Sequence, residues 1–560
     1  MSTNIKTKDL IGPFIGNVTH ESVKMWLHAP HLAAGETLAL VVTLHEEKPD
    51  AEASASANLL LSYDDLKVGT VTLDSLKPET KYFYRITPRE TTAAETPAPL
   101  EFEGLTPDDL FFYTLPTTGY TDQLDFLLMS CHNPETANDD GFDGFGVWAQ
   151  MPEIMSQNKN VRFAILAGDQ AYGDEVETKV LNEPDLRRRQ ELYLGVYQKF
   201  WNNKHYRKVL CSLPAVSMWD DHDVTDGWGS REDSFTSKTS NTFKPEWLKL
   251  FEAAQSVFKQ MQAARNPDPL SPDYKQGFDF CFKVGRAGFA VADLRSNRNV
   301  RERRVWLPEQ LENIRRWVDE NRQELDTFFF VSSVVFSHGA PQIERGILKY
   351  WFYVLDSVQW LGKFPFFKRR AQSFDHAVGD LRDDINDSWG SDVNAEEADR
   401  VLDFLFGLQN PPEGVKAMNV VILSGDIHTP GYSTIYTANP NHTRRQAIPH
   451  VVATPVAYQP FSWIGEAIFR HLTRVVELGV KKIYTAQVSH HFCYRNVVVI
   501  SLRNYEQDES HLKVKYYLEG FPEPQVMLFD LNHGSRREAI KWPEKARKKA
   551  QETVTPPGSP

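Results

Sequence analysis

At 560 residues the chain is too long for one ordinary core, so two or more domains are expected. A hydrophobic fraction of 41% with 24% charged residues excludes wholesale disorder, and a net charge of −13 argues against nonspecific nucleic-acid binding, which needs a basic footprint. The four cysteines form no paired scaffold, the N-terminus lacks an apolar signal segment, and no apolar run reaches the roughly 18 residues of a membrane-crossing helix, so a cytoplasmic protein without a transmembrane segment is expected.

Residues 1–120 are predicted to form an N-terminal all-β domain of fibronectin-III or Ig-like sandwich type. Gly12 to Leu27 alternates polar and apolar residues between turn signals, and Leu76-Lys-Pro-Glu-Thr-Lys-Tyr-Phe-Tyr-Arg-Ile86 has the form of a tyrosine-corner strand, with Leu76 and Tyr82 or Tyr84 packing inward. Leu115-Pro-Thr-Thr-Gly-Tyr-Thr121 reads as a linker.

From 121 to 533 the pattern becomes α/β, a layered domain with apolar strands expected at 125–130, 162–167, 213–218, 287–293, 327–336, 418–424 and 496–501. Helices are expected at 186–200, 245–263, 308–322 and 395–408, the third opening on Pro308 and the fourth on Asn394 with Glu397 in capping-box position. Aromatic or helical insertions are read near 345–375 and 458–482, the second with helical spacing from Phe461 to Val480. They read as helices packing on each other or over the active site, or as a surface for peripheral membrane contact or partner docking. Residues 534–560 read as a basic, flexible tail.

Chemistry concentrates at four strand ends: Ser130-Cys131, Asp169-Gln170-Ala171-Tyr172, Asp220-Asp221-His222-Asp223 and Gly425-Asp426-Ile427-His428. Singly, each has an ordinary reading: Cys131 as a small buried hydrophobe, Tyr172 as packing, Gly168-Asp169 as a turn. Together they make a metal-ligand set. A thiolate (Cys131), phenolate (Tyr172), imidazole (His428) and bridging carboxylate (Asp169) suit ferric iron, whereas Asp221, Asp226 and Asp426 offer an all-oxygen set for calcium, magnesium or manganese.

The stretches Met129-Ser-Cys-His132, Leu166-Ala-Gly-Asp-Gln-Ala-Tyr172, Met218-Trp-Asp-Asp-His-Asp-Val224, Val291-Ala-Asp-Leu-Arg-Ser-Asn-Arg298 and Leu423-Ser-Gly-Asp-Ile-His428 resemble the PhoD-like (alkaline phosphatase D) branch of the calcineurin-like metallophosphoesterases. The resemblance implies an αββα catalytic sandwich. It further implies Cys131, Asp169, Tyr172 and His428 around Fe(3+), with Asp169 shared, and Asp221 and Asp426 at a second position resembling a calcium site; Mg(2+), Mn(2+) and Zn(2+) are the alternatives. Asp226 stands where the family often has an amide or acidic ligand, and His222 matches the histidine that protonates the leaving group. His338, in Val334-Val-Phe-Ser-His-Gly-Ala-Pro341, departs from that branch and reads either as an extra ligand or as a structural histidine.

The expected activity is hydrolysis of a phosphate ester, mono or di, by metal-activated water attacking phosphorus in line, with His222 as general acid and Arg295 contacting the phosphate. Arg298 is a second candidate for phosphate contact, or, as the start of a basic run (Arg301, Arg303, Arg304), a member of simple ion pairs. Two competing readings are a catalytically weak phosphoesterase-like binding protein and a membrane-surface phosphoesterase acting on lipid head groups.

Overall fold

Alternation in the first hundred residues produces strands β1 (Ile11–Val18), β2 (Val23–His28), β3 (Thr37–Glu46), β4 (Ala53–Ser62), β5 (Val68–Leu73), β6 (Lys81–Pro88) and β7 (Phe111–Tyr113). They pair antiparallel in the order β1-β2-β5-β4-β3-β6-β7. The computed structural model describes residues 10–89, 97–117, 123–135, 146–336, 387–458, 475–503, 511–531 and the backbone of 536–537. The tyrosine corner is present: the Tyr82 hydroxyl accepts the Lys77 backbone N–H at 2.9 Å, and Leu76, Tyr82 and Tyr84 are all buried.

Beyond the linker, strands and helices alternate: β8 (Gln123–Met129), α1 (Gly146–Gln157), β9 (Val161–Ala167), α2 (Glu177–Asn182), α3 (Leu186–Trp201), α4 (Lys204–Leu210), β10 (Ala215–Met218) and α5 (Pro245–Met261). There follow β11 (Phe280–Val284), β12 (Ala287–Ala292), α6 (Pro308–Asn321), β13 (Thr327–Ser332), α7 (Ala395–Gln409), β14 (Asn419–Ser424), β15 (Gly431–Thr437), β16 (Ala447–Val452) and β17 (Val475–Leu478). Strands β18 (Tyr484–His491), β19 (Asn496–Arg503), β20 (His511–Leu518), β21 (Gln525–Asp530) and β22 (Arg536–Arg537) complete the described chain. Two mixed sheets result, in the orders β10-β9-β8-β19-β20-β21-β22 and β11-β12-β13-β14-β16-β15-β18-β17.

Phenylalanines weld the inner faces of these two sheets. Phe126 meets Phe289 and Phe329 edge-on, each at 5.3 Å between ring centroids, and Phe163 meets Phe289 at 5.5 Å. The outer face of the first sheet (Leu127, Met129, Ala164, Leu166) packs in one core with residues of α1, α3, α4 and α5. That of the second (Phe328, Phe330, Val420, Ile422) shares a core with residues of α6 and α7. Covering on both faces is why β13, Thr-Phe-Phe-Phe-Val-Ser, is buried along its whole length. The layers are therefore αββα, preceded by an all-β domain, as the sequence predicts.

One expectation needs correction. Helical spacing through Val480 does not end in helix: Val475-Val-Glu-Leu478 alternates exposed and buried residues and pairs with β18 as an edge strand. The insertion at 345–375, residues 459–474 and His338 lie outside the described residues, as does the tail beyond Arg537. Among those described, no helix is long and apolar enough to cross a membrane.

Candidate metal centre

Parallel pairing of β8 with β9, β9 with β10, and β12 with β13 and β14 points these C-terminal ends one way. The two sheets close on each other there. A Cβ on Gly425, just after β14, would stand 2.0 Å from the Ala167 carbonyl and 2.7 Å from the Ser130 Cβ, so only glycine admits this approach. The effect is to bring the loops after β8, β9, β10 and β14 together, as open α/β sites require.

Four carboxylates meet at this junction. Asp169, Asp220, Asp221 and Asp426 offer oxygens all within 4.8 Å of one another, and a second such group joins Asp221, His222 and Asp226. Cys131 is fully buried, its Sγ 3.3 Å from Asp169 Oδ2 and receiving the Thr454 hydroxyl at 3.0 Å. Tyr172, Tyr458, His428 and His222 form a ring cluster: Tyr458 stacks on His428 at 3.9 Å and on Tyr172 at 5.3 Å, and Tyr172 lies 4.4 Å from His222.

The electrostatics have one theme. Burial, and then the charges of neighbouring carboxylates, push Asp426 well above the ordinary range. Asp169 is likewise raised, chiefly by burial, although His222 pulls the other way. Burial raises Asp220 to about 6 despite Arg295. Burial would also raise Asp221, but Arg295, His222 and the Gly227 amide outweigh it and hold it at about 2. The Cys131 thiol and the Tyr172 phenol are driven up by burial and by nearby anionic groups, Asp169 among them. Such a site needs positive charge.

Whether these residues suit a metal can be judged from their hydrogen bonds. Asp169 Oδ1, Asp220 Oδ2, the Tyr172 hydroxyl and His428 Nδ1 are buried yet have no hydrogen-bond partner among the described residues. Buried polar atoms are normally satisfied, and two of these orphaned oxygens belong to the carboxylates that meet within 4.8 Å, which is what a cation would satisfy. The donor set is competent to bind divalent metal ions.

Backbone strain coincides with the same residues. Cys131, Asp169, Asp426, Ile427 and His428 all have positive φ, from 45° to 59°. Left-handed backbone costs a non-glycine residue on the order of 1 kcal/mol, most for a β-branched one such as Ile427, and tends to cluster where side chains must be aimed.

Arg295 is placed differently from the expectation that it meets phosphate. It is fully buried, with its guanidinium on Asp220, on Asp221 at 3.2 Å and on Asp387 at 3.0 Å, so its donors are spent on protein carboxylates. Arg298 likewise pairs with Asp387 at 2.6 Å, and Arg301 and Arg304 pair with Glu232 and Glu302. Two participants had not been singled out from sequence, Tyr458 and Asp174, and Asp220, named within its strand end, had been given no ligand role. Asp174 meets His222 Nδ1 at 2.7 Å through Oδ2 and accepts the Asp226 amide through Oδ1. Burial pulls the His222 pKa down, but Asp174, Asp221 and Asp169 outweigh it and hold the imidazole well above its ordinary value.

Fold and site together define an αββα domain with an acid-rich, metal-competent centre at its strand ends, carried behind a β-domain. Residues 126–327 match the family model of the PhoD-like phosphatases, and this chain carries a PhoD-like phosphatase domain over that span. Asp426 and His428 lie beyond the matched span. The solved structure of PhoD superposes with a TM-score of 0.63 at 13% identity, covering 99% of this chain and 98% of that one, and shares the fold. A dimetal phosphatase from Danio rerio covers 72% of this chain at 11% identity with a TM-score of 0.33, too low to bear on the site. An uncharacterized protein of Saccharomyces cerevisiae is 27% identical over 124 residues, a match spanning 16% of this chain and 18% of that protein's length.

Proposed function

We propose that this protein is a metal-dependent phosphoric ester hydrolase of the PhoD-like kind, acting on phosphomonoesters or phosphodiesters. The observation that carries the reading is the convergence of Asp169, Asp220, Asp221 and Asp426 within 4.8 Å at strand ends of the domain. Asp220, Asp221, Asp426 and, on its rim, Asp226 make the all-oxygen side, suited to Ca(2+), Mg(2+) or Mn(2+). Cys131, on Asp169, would supply a thiol, and Tyr172 and His428, both stacked on Tyr458, a phenol and an imidazole, a set that suits Fe(3+), with Zn(2+) the alternative. When bound, such cations neutralise phosphoryl oxygens and lower the pKa of a coordinated water.

The chain's own residues account for the rest. Asp174, on Nδ1, orients the His222 ring and leaves Nε2 to carry a proton toward a leaving oxygen. The carboxylates around it favour the charged form that can donate. Arg295 fixes Asp220 and Asp221 instead of touching substrate. Thr454, and Ser130 at 3.2 Å, hold the Cys131 sulfur toward Asp169.

The test is hydrolysis of an aryl phosphate monoester and diester by chelator-treated protein, with and without added Mn(2+), Ca(2+) or iron. The reading predicts loss of turnover on chelation and its return with metal. Metal uptake without turnover on either ester class would leave the binding-protein reading standing.

A further inference from the structure

Behind the four converging carboxylates sits a fifth that is turned away from them. Asp223 is buried, and its Oδ1 accepts the Ala171 amide at 3.1 Å and Gln262 Nε2 at 2.8 Å, while Oδ2 accepts the Asp220 amide at 2.9 Å. The bond to Asp220 closes a local turn. The bond to Ala171 reaches 52 residues back along the chain, to the loop carrying Asp169 and Tyr172. One carboxylate thus spans the two loops whose relative position sets the distance between Asp169 and Asp220.

The segment around Gln262 is held from the N-terminal sheet. The Gln262 amide also donates to the Tyr197 hydroxyl at 2.9 Å, and Gln262 belongs to the segment following α5. The Trp26 indole N–H donates to the Gln260 carbonyl at 2.9 Å, and Lys24 Nζ to the Asn266 carbonyl at 2.8 Å. Between them the Arg265 guanidinium lies over Phe14 at 5.5 Å, Trp26 at 5.8 Å and Trp201 at 4.8 Å. A Cβ on Gly16 would come within 2.4 Å of the Arg265 carbonyl, so glycine is what lets β1 close on this segment.

We propose that Asp223 is a positioning residue that clamps the Asp169 and Asp220 loops at metal-binding separation, with Gln262 transmitting support from the N-terminal sheet. This rests on the metal-centre reading above. Its physical basis is that an oxygen donor displaced by a fraction of an ångström loses much of its value to a cation, so groups holding ligands govern affinity nearly as ligands do.

The test uses the full-length chain as Asp223→Asn and Gln262→Leu, with Leu405→Ala on α7 as a control that lowers stability away from both loops. Two quantities are read: Mn(2+) affinity of chelator-treated protein by calorimetry, and hydrogen exchange of the peptides covering 168–175 and 217–225. Asp223→Asn is expected to raise exchange in both peptides together and to weaken Mn(2+) binding about tenfold or more, Gln262→Leu about threefold, and Leu405→Ala not at all. The clamp is overturned if Asp223→Asn keeps wild-type affinity, if only one peptide responds, or if Leu405→Ala loses affinity equally. Should Asp223→Asn not fold, an unchanged affinity in Gln262→Leu overturns it. A wild-type chain that takes up no Mn(2+) defeats the metal-centre reading and the clamp with it, whereas a binding wild type beside a binding Asp223→Asn defeats the clamp alone.

Discussion

Asp169 is the residue on which the site turns, because it meets the Cys131 sulfur and also belongs to the group formed with carboxylates of the β10 and β14 loops. Asp169→Asn should therefore abolish high-affinity metal binding outright, and Tyr172→Phe should weaken one metal while sparing the other; elemental analysis of the purified variants checks both. For the His222–Asp174 pair, Asp174→Asn should lower kcat by about 100-fold with little change in KM. Because the Asp174 charge helps hold the His222 pKa up, its removal should also shift the alkaline limb of the pH–rate profile to lower pH. Much of this was legible in the sequence, since a carboxylate, thiol or imidazole just after an apolar strand has little packing value. Asp220 was hidden by its neighbour, as nothing in an Asp-Asp pair says how many of the two turn inward. Asp174 sits in a short turn with no motif around it, and Arg295 looked free because its three carboxylate partners come from distant segments.

At the scale of elements, the site depends on two face-packed sheets closing on each other at their strand ends. Gly425→Ala should disrupt that junction, since its Cβ would overlap the Ala167 carbonyl at 2.0 Å; loss of metal binding together with a lowered Tm is the expected result. The strands buried on both faces and the four long helices announce themselves by composition and periodicity and fall where the sequence places them. The expected Asn394–Glu397 capping box does not form, however: the Asn394 side chain makes no cap bond and Glu397 accepts the Val305 amide. What stayed hidden has physical reasons. Helix α1 carries Pro152 in its interior, which reads as a breaker, and β17 has β-branched residues at spacings compatible with either period.

For the whole molecule, the all-β domain is packed into the catalytic layers instead of being tethered beside them. Trp26 stacks on Phe14 at 5.3 Å and meets Trp201 edge-on at 5.7 Å, and the Tyr84 hydroxyl donates to the Cys211 carbonyl at 2.7 Å. Trp26→Ala should cost about 3–5 kcal/mol by denaturant unfolding, and a single cooperative transition should persist if the domains unfold as one. That coupling was not legible, because aromatic residues in a β-domain read as its own core until the partner surface is known. The central claim remains that a metal centre is built on Asp169 at the junction of the two sheets. Anomalous diffraction from crystals of the purified protein tests it most directly. The account predicts metal peaks within about 2.0–2.6 Å of carboxylate oxygens of Asp169 and its neighbours at this junction. Crystals of active protein with no metal at coordinating distance from Asp169 would contradict it.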